Sequence, residues 1–459
     1  MSDADILTSM ERIHENNHID WNKPTLTGHS RKLSSMASEE PERFLGIYMT
    51  ALDNERIPLT YITEGFPTIY AHVDETQSEK LLSKLILRVG TDVNQQEVGL
   101  MIAVIRLADV YIKTKKAVPK CLFAYTKLVA TQYDETADVA YDKEHNQPID
   151  VNTAINRVCG TAMMHLIESI YHTPYVEPVF QVFECIADKA SEVTKCAMLY
   201  KLALFINYDC ERTRSLFLRL TKNYEESLLC LPAHQLNPLY YITKDGFDQL
   251  RPYFEHCVAC SKAHPVAVNF LFRSWLDGKN EACDMCLYMG DATEAAAVQL
   301  VKLARAYYSD VNKEICNKVL YRYLDSDSTN MGFAYDSALG TPHRKRDIFD
   351  MSFVDKYFHS NVCAFATDNA YELLRMLSEE DPRTCLDWLC GLYDKMKQYE
   401  EESYKINDVV DILLRAYRRI VLFKADDVLL DRAIDLLDDI LLTGRWGAPL
   451  NEQLNKSEE

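Results

Sequence analysis

The sequence predicts an all-α protein made of successive helix pairs. Three observations carry that expectation. Apolar residues recur at spacings of three and four in segment after segment, the period of one helix face. Glycine and proline, 14 and 15 residues in a chain of 459, are sparse, which disfavours turn-rich β architecture. The breaks between apolar segments are short and polar, and no run of period-two alternation competes with them.

Taken in order, "SEKLLSKLILRV" (Ser78 to Val89), "NQQEVGLMIAVIRLADVYI" (Asn94 to Ile112) and "NTAINRVCGTAMMHLIESIY" (Asn152 to Tyr171) each read as one helix. In the last, Ile155, Val158, Ala162, Leu166 and Ile170 share a face. "HTPYVEP" (His172 to Pro178), "KAHP" (Lys262 to Pro265) and "EEDP" (Glu379 to Pro382) place proline where a helix can begin, because its missing N–H costs nothing in a first turn. "YDETADVAYDKEHNQPID" (Tyr133 to Asp150) and "GTPHRKRD" (Gly340 to Asp347) read as the longest irregular stretches. Neither is a low-complexity linker, so the expected domain organisation is one continuous array over 1–459, softly divisible into 1–140 and 150–459.

A weak repeat runs through "CIADKASEVTKCAMLYKLALFI" (Cys185 to Ile206), "CLYMGDATEAAAVQLVKLARAY" (Cys286 to Tyr307) and "LYRYLDSDSTNMGFAYDSAL" (Leu320 to Leu339). Each has an apolar helix, an aspartate at the break and a second apolar helix. The aspartate is expected to cap the helix that follows. Helix pairs of roughly 35 to 47 residues, each burying a face against the next, predict an α-solenoid of HEAT or armadillo type.

A formal charge of −19 argues against a general nucleic-acid binder, since the mean field repels a polyanion. The basic run His343 to Arg346 is the sharpest exception and reads first as a solvated loop. Fourteen cysteines scattered through helix-like segments lack the pattern of a disulfide scaffold and read as reduced, mostly buried thiols of a cytoplasmic protein. No secretory signal is expected from the acidic start, and no apolar stretch has the roughly 20 residues that cross a bilayer.

Two patterns offer metal chemistry. His14-Glu15-Asn16-Asn17-His18 spells H-E-x-x-H, which on a helix puts two imidazoles on one face with a general base beside them. The context is poor: two asparagines interrupt it and only 13 residues precede it. Cys257-x-x-Cys260 and Cys283-x-x-Cys286, with 22 residues between, have zinc-ribbon spacing. They lack the glycines of ribbon knuckles, and Leu250, Phe254, Cys257 and Cys260 continue a helical apolar stripe. No G-x-x-x-x-G-K-[ST] loop, G-x-S-x-G elbow or cysteine-nucleophile signature occurs. No catalytic residue, cofactor-binding residue or metal ligand is therefore assigned, and no cofactor is expected.

In the order of its landmarks the chain resembles the C-terminal HEAT-like region of bacterial STAND NTPases of the antiphage-defence type. "GHSRKLSSMASEEPERFLGIYMTAL" (Gly28 to Leu52) is similar to that region's glycine, small-residue helix and proline-started helix. "AINRVCGTAMMHLIESIY" (Ala154 to Tyr171) resembles its N-x-V-R-G-x-A helix start, with Cys159 where that pattern often has arginine. "DKASEVTKCAMLYKL" (Asp188 to Leu202) resembles its D-x-x-x-V-R turn. The stretches Phe353 to Leu377 and Leu413 to Gly444 look like its closing helices. The resemblance covers nearly the whole chain and implies a protein-recognition or scaffold module that senses a foreign protein. The family's NTPase module is not expected within this sequence. A fragment, one half of a split gene and a stand-alone adaptor all remain open. The expected function is thus non-enzymatic partner binding. The alternative is a metal-dependent enzyme using His14, Glu15 and His18 or the paired cysteines.

Overall fold

The computed structural model describes residues 1–13, 25–236, 238–339, 351–399, 405–422 and 427–442. All regular structure among them is helical. Among the described residues, no helix is long and apolar enough to cross a membrane. Contacts group the chain into two units, Met1–His256 and Cys257–Glu459.

In the first unit, alternate helices pack side by side. Leu26–Glu39, Thr60–Tyr70, Val98–Arg106, Val158–Glu168 and Glu192–Lys201 form one succession, each touching the next. Pro41–Ala51, Glu75–Val89, Lys120–Gln132 and Val176–Ile186 form a second, and the two successions pack on each other. The second unit repeats the plan. His264–Leu276, Glu294–Ala306, Thr329–Leu339, Asp368–Glu380 and Ile406–Leu422 touch in that order. Asn280–Ala292, Lys313–Arg322, Pro382–Gln398 and Asp427–Leu442 pack against members of that succession.

The apolar stripes explain this arrangement. Leu166, Ile167, Phe180, Phe183 and Leu199 are buried between the successions of the first unit, and each such side chain contributes about 1.5–3 kcal/mol. Polar partners also recur at a regular distance along the chain. Arg219 and Lys222 hold Asp188, Arg322 holds Asp291, Trp388 donates to Asp355 and Lys395 to Asn361, all across 31 to 34 residues.

Several local expectations change. Asp188 and Asp291 do not cap the following helices; Ser191 caps Glu192–Lys201 by accepting the Thr194 N–H, and the aspartates pair with cations one helix pair further on. Carboxylates from an earlier helix reinforce caps instead. Asp336, 2% exposed, accepts the backbone N–H groups of Thr367, Asn369 and Ala370 at the start of Asp368–Glu380. Asn152 to Tyr171 is not one helix but Val151–Ala154, a turn, Val158–Glu168 and a 3-10 turn at Ser169–Tyr171. The turn doubles back so closely that a Cβ on Gly160 would lie 2.0 Å from the Ala154 carbonyl oxygen. Pro265 and Pro382 do stand in first turns, as expected.

Candidate binding cleft in the first unit

The Tyr133–Asp150 stretch, which reads as irregular in the sequence, contains the helix Thr136–Glu144. Little apolar surface secures it: Asp142 is its buried residue, at 7% exposure. What holds it is Arg157, the residue before Val158–Glu168. Its Nε donates to both Asp142 carboxylate oxygens at 3.0 and 3.2 Å, and its Nη2 donates to Oδ1 as well. The same guanidinium lies 5.1 Å from the centre of the Tyr141 ring. A bidentate fork of this kind fixes orientation as well as distance. Asn146, with φ of 48°, ends the helix in the left-handed conformation that asparagine tolerates.

A cleft of about 540 Å³ opens along this helix, lined in part by Asp142, Lys143, Asn146, Ser191, Lys195 and Glu225. That size is within the range of small-ligand and side-chain pockets. Lys195, 3% exposed, donates to Glu225 Oε1 at 3.1 Å, and Asn223 donates to the same oxygen at 3.1 Å. Glu225 Oε2 is buried without a hydrogen-bond partner. Burial pushes the Glu225 carboxyl up, but hydrogen bonds from its own backbone, Lys195 and Asn223 outweigh it and hold the group below its ordinary range. Tyr224, with φ of 53°, stacks on His256 at 3.5 Å and so presents its neighbours Asn223 and Glu225 to the cleft.

A second cleft of about 420 Å³ shares Val139, Ala190 and Ser191 with the first. Here Glu135 receives the hydroxyls of Ser191 at 2.6 Å and Thr194 at 2.5 Å, so a carboxylate sits at the N-terminus of Glu192–Lys201 where the helix dipole favours it. Burial raises Asp138 above the ordinary carboxylate range and pushes Tyr133 up to about 12. Burial also raises the Cys159 thiol, which lines this cleft, so it is protonated at neutral pH and not a ready nucleophile. Together the clefts present fixed amides, hydroxyls and paired charges, an arrangement suited to recognition by shape and hydrogen bonding.

His14, Glu15 and His18 lie outside the described residues, as does the basic run His343 to Arg346. Cys257 stands in the last turn of Phe247–Ala259 and Cys260 just beyond it in extended conformation, and Cys283 and Cys286 stand on Asn280–Ala292. The four sulfurs do not form a metal-binding group: among the described residues, no three of these cysteines bring their sulfurs within 4.8 Å of one another. Cys286 is fully buried, which raises its thiol well above the ordinary value, and Cys283 receives the Lys318 ammonium at 3.5 Å. None of the fourteen cysteines is in a disulfide; eight are buried and Cys185 is exposed. Sequence reading missed the cleft because its framing helix carries almost no apolar periodicity. The signals available were Asp142 as a partner for Arg157 and Asn146 as a helix stop. Comparison with protein-family models, curated proteins and solved structures finds no match.

Proposed function

We propose that this chain is a non-enzymatic α-solenoid of HEAT-like helix pairs that binds a protein partner, in the target-sensing role implied by its resemblance to antiphage STAND sensors. The observation that carries this reading is the side-by-side succession of alternate helices, stitched by polar pairs 31 to 34 residues apart. A two-layer stack of this kind gives long, preformed surfaces on which loops and helix edges meet a partner. The cleft beside Thr136–Glu144 supplies a recognition point on that surface, with Lys143, Asn146 and Asn223 at its lining.

A photo-crosslinking residue placed at Asn146 tests the reading in bacterial cells with and without phage infection. The expected result is one dominant protein adduct that appears on infection and is lost on Lys143→Glu. Absence of an adduct at the cleft under both conditions, or turnover of a substrate by the purified chain, overturns it.

A further inference from the structure

We propose that Asp355, His359 and Asp387 form a binding site for a divalent transition-metal ion that ties two helices of the second unit together. One donor atom from each of the three lies within 4.8 Å of the others. Asp355 is on the helix Met351–Phe358, His359 follows its last residue, and Asp387 is on Pro382–Gln398. Neither of the sequence's own metal patterns includes these residues.

The hydrogen bonds around the triad select its free donors. His359 Nδ1 lies 2.8 Å from the Asp355 carbonyl oxygen. A carbonyl can only accept, so Nδ1 carries the proton and Nε2 of the neutral ring keeps its lone pair, the state in which histidine binds metals. Nε2 is 3.6 Å from Asp387 Oδ2. That is too long for a good hydrogen bond, and close to the separation of about 3.3 Å between two ligands on a tetrahedral zinc-sized ion. Outside the triad, Trp388 Nε1 donates to Asp355 Oδ1 at 2.9 Å and Arg432 donates to Asp387 Oδ1 at 2.6 Å. Asp387 is thereby oriented through Oδ1 while Oδ2 faces His359 Nε2, and Asp355, whose Oδ1 lies 3.7 Å from His359 Nδ1, is held from outside by Trp388, as outer partners orient metal ligands elsewhere. Gly391 permits the approach: a Cβ there would lie 2.5 Å from the Phe358 carbonyl oxygen and 3.1 Å from His359 Cδ2.

Two carboxylates and an imidazole suit Zn²⁺, Co²⁺ or Fe²⁺, with further positions left for water. The site bridges helices one repeat apart, so an ion there stabilises that junction and the stability becomes dependent on metal concentration.

The test is a Co²⁺ titration of the full chain, since cobalt absorption separates nitrogen and oxygen ligands from the thiolates of this cysteine-rich protein. The expected result is one saturable ion per chain with d–d bands and no sulfur charge-transfer band. His359→Gln and Asp387→Asn are each expected to weaken binding at least tenfold while leaving the metal-free helical melt in place, because His359 is 43% exposed and Asp387 41%. Trp388→Phe, which keeps an aromatic ring against Phe358, removes the donor to Asp355 and leaves a small cavity in its place, should weaken binding by about tenfold. No saturable binding, a thiolate band accounting for the bound ion, or affinity unchanged in His359→Gln overturns the assignment.

Discussion

At the scale of single residues, charge pairs and buried thiols give the firmest expectations. Hydrogen bonds from Arg219 and then Lys222 hold the Asp188 carboxyl at about 2, below its ordinary 3.8. The folded state therefore binds this proton less readily than the unfolded chain. Its stabilising contribution is complete above about pH 4 and is lost as pH falls toward about 2. Urea midpoints measured across that window should fall less steeply for Asp188→Asn than for the parent; parallel curves would show that the pair is fully screened at the surface. The thiols give a second prediction. Burial pushes Cys196, Cys363 and Cys385 up to about 12 and Cys316 to about 11, while Cys185 is exposed. Cys185 should react with a thiol reagent first and these four only as fast as the protein opens; mass-mapped labelling that finds them modified together with Cys185 contradicts this. The burial of these cysteines was legible in the sequence because their neighbours are apolar at helical spacing. The pairing of Asp188 was not, because an aspartate at a helix break has a ready local role as a cap, and only the packed neighbour supplies Arg219 and Lys222.

Helices with strong apolar stripes were legible as elements, and the one that frames the cleft was not. Glu75–Val89 follows its sequence pattern closely, with Asp74 accepting the Gln77 N–H at its start. Thr136–Glu144 is held instead by a polar contact made 15 residues away in the chain, between Asp142 and Arg157. The same arginine marks the start of Val158–Glu168, which explains why a continuous helix over Asn152 to Tyr171 fails: the chain must turn at Ile155–Arg157 to bring the guanidinium back to Asp142. Arg157→Ala leaves Asp142 buried with its charge unpaired, a cost of about 3–5 kcal/mol if the helix stays docked. Undocking Thr136–Glu144 relieves most of that. The expected outcome is rapid hydrogen exchange confined to residues 136–144, a smaller fall in the global melting temperature, and loss of whatever binds the adjoining cleft. Unchanged exchange in this segment would mean that packing, not the ion pair, positions the helix.

At the scale of the whole molecule, the repeat spacing decides how damage spreads. Within each unit the helices of a succession touch in order, and on the proposed solenoid reading stability is then built from local junctions and not from one central core. The all-helical class was legible from periodicity alone; the junctions were not, because their polar pairs join residues 31 to 34 apart that no local pattern links. Asp336 offers a direct way to break one junction. Its buried carboxylate accepts from Thr367, Asn369 and Ala370, and Asp336→Ala leaves the first N–H groups of Asp368–Glu380 without their acceptor, a loss of about 2–4 kcal/mol. In a protein with a single cooperative core that loss would accelerate exchange of the slowest amides throughout. In a stack it should accelerate exchange in Thr329–Leu339, Asp368–Glu380 and their immediate neighbours, and leave Leu26–Glu39 and Thr60–Tyr70 at parent rates. Uniform acceleration across all of these helices would show that the chain unfolds as one block, and the repeat reading of its energetics would fail.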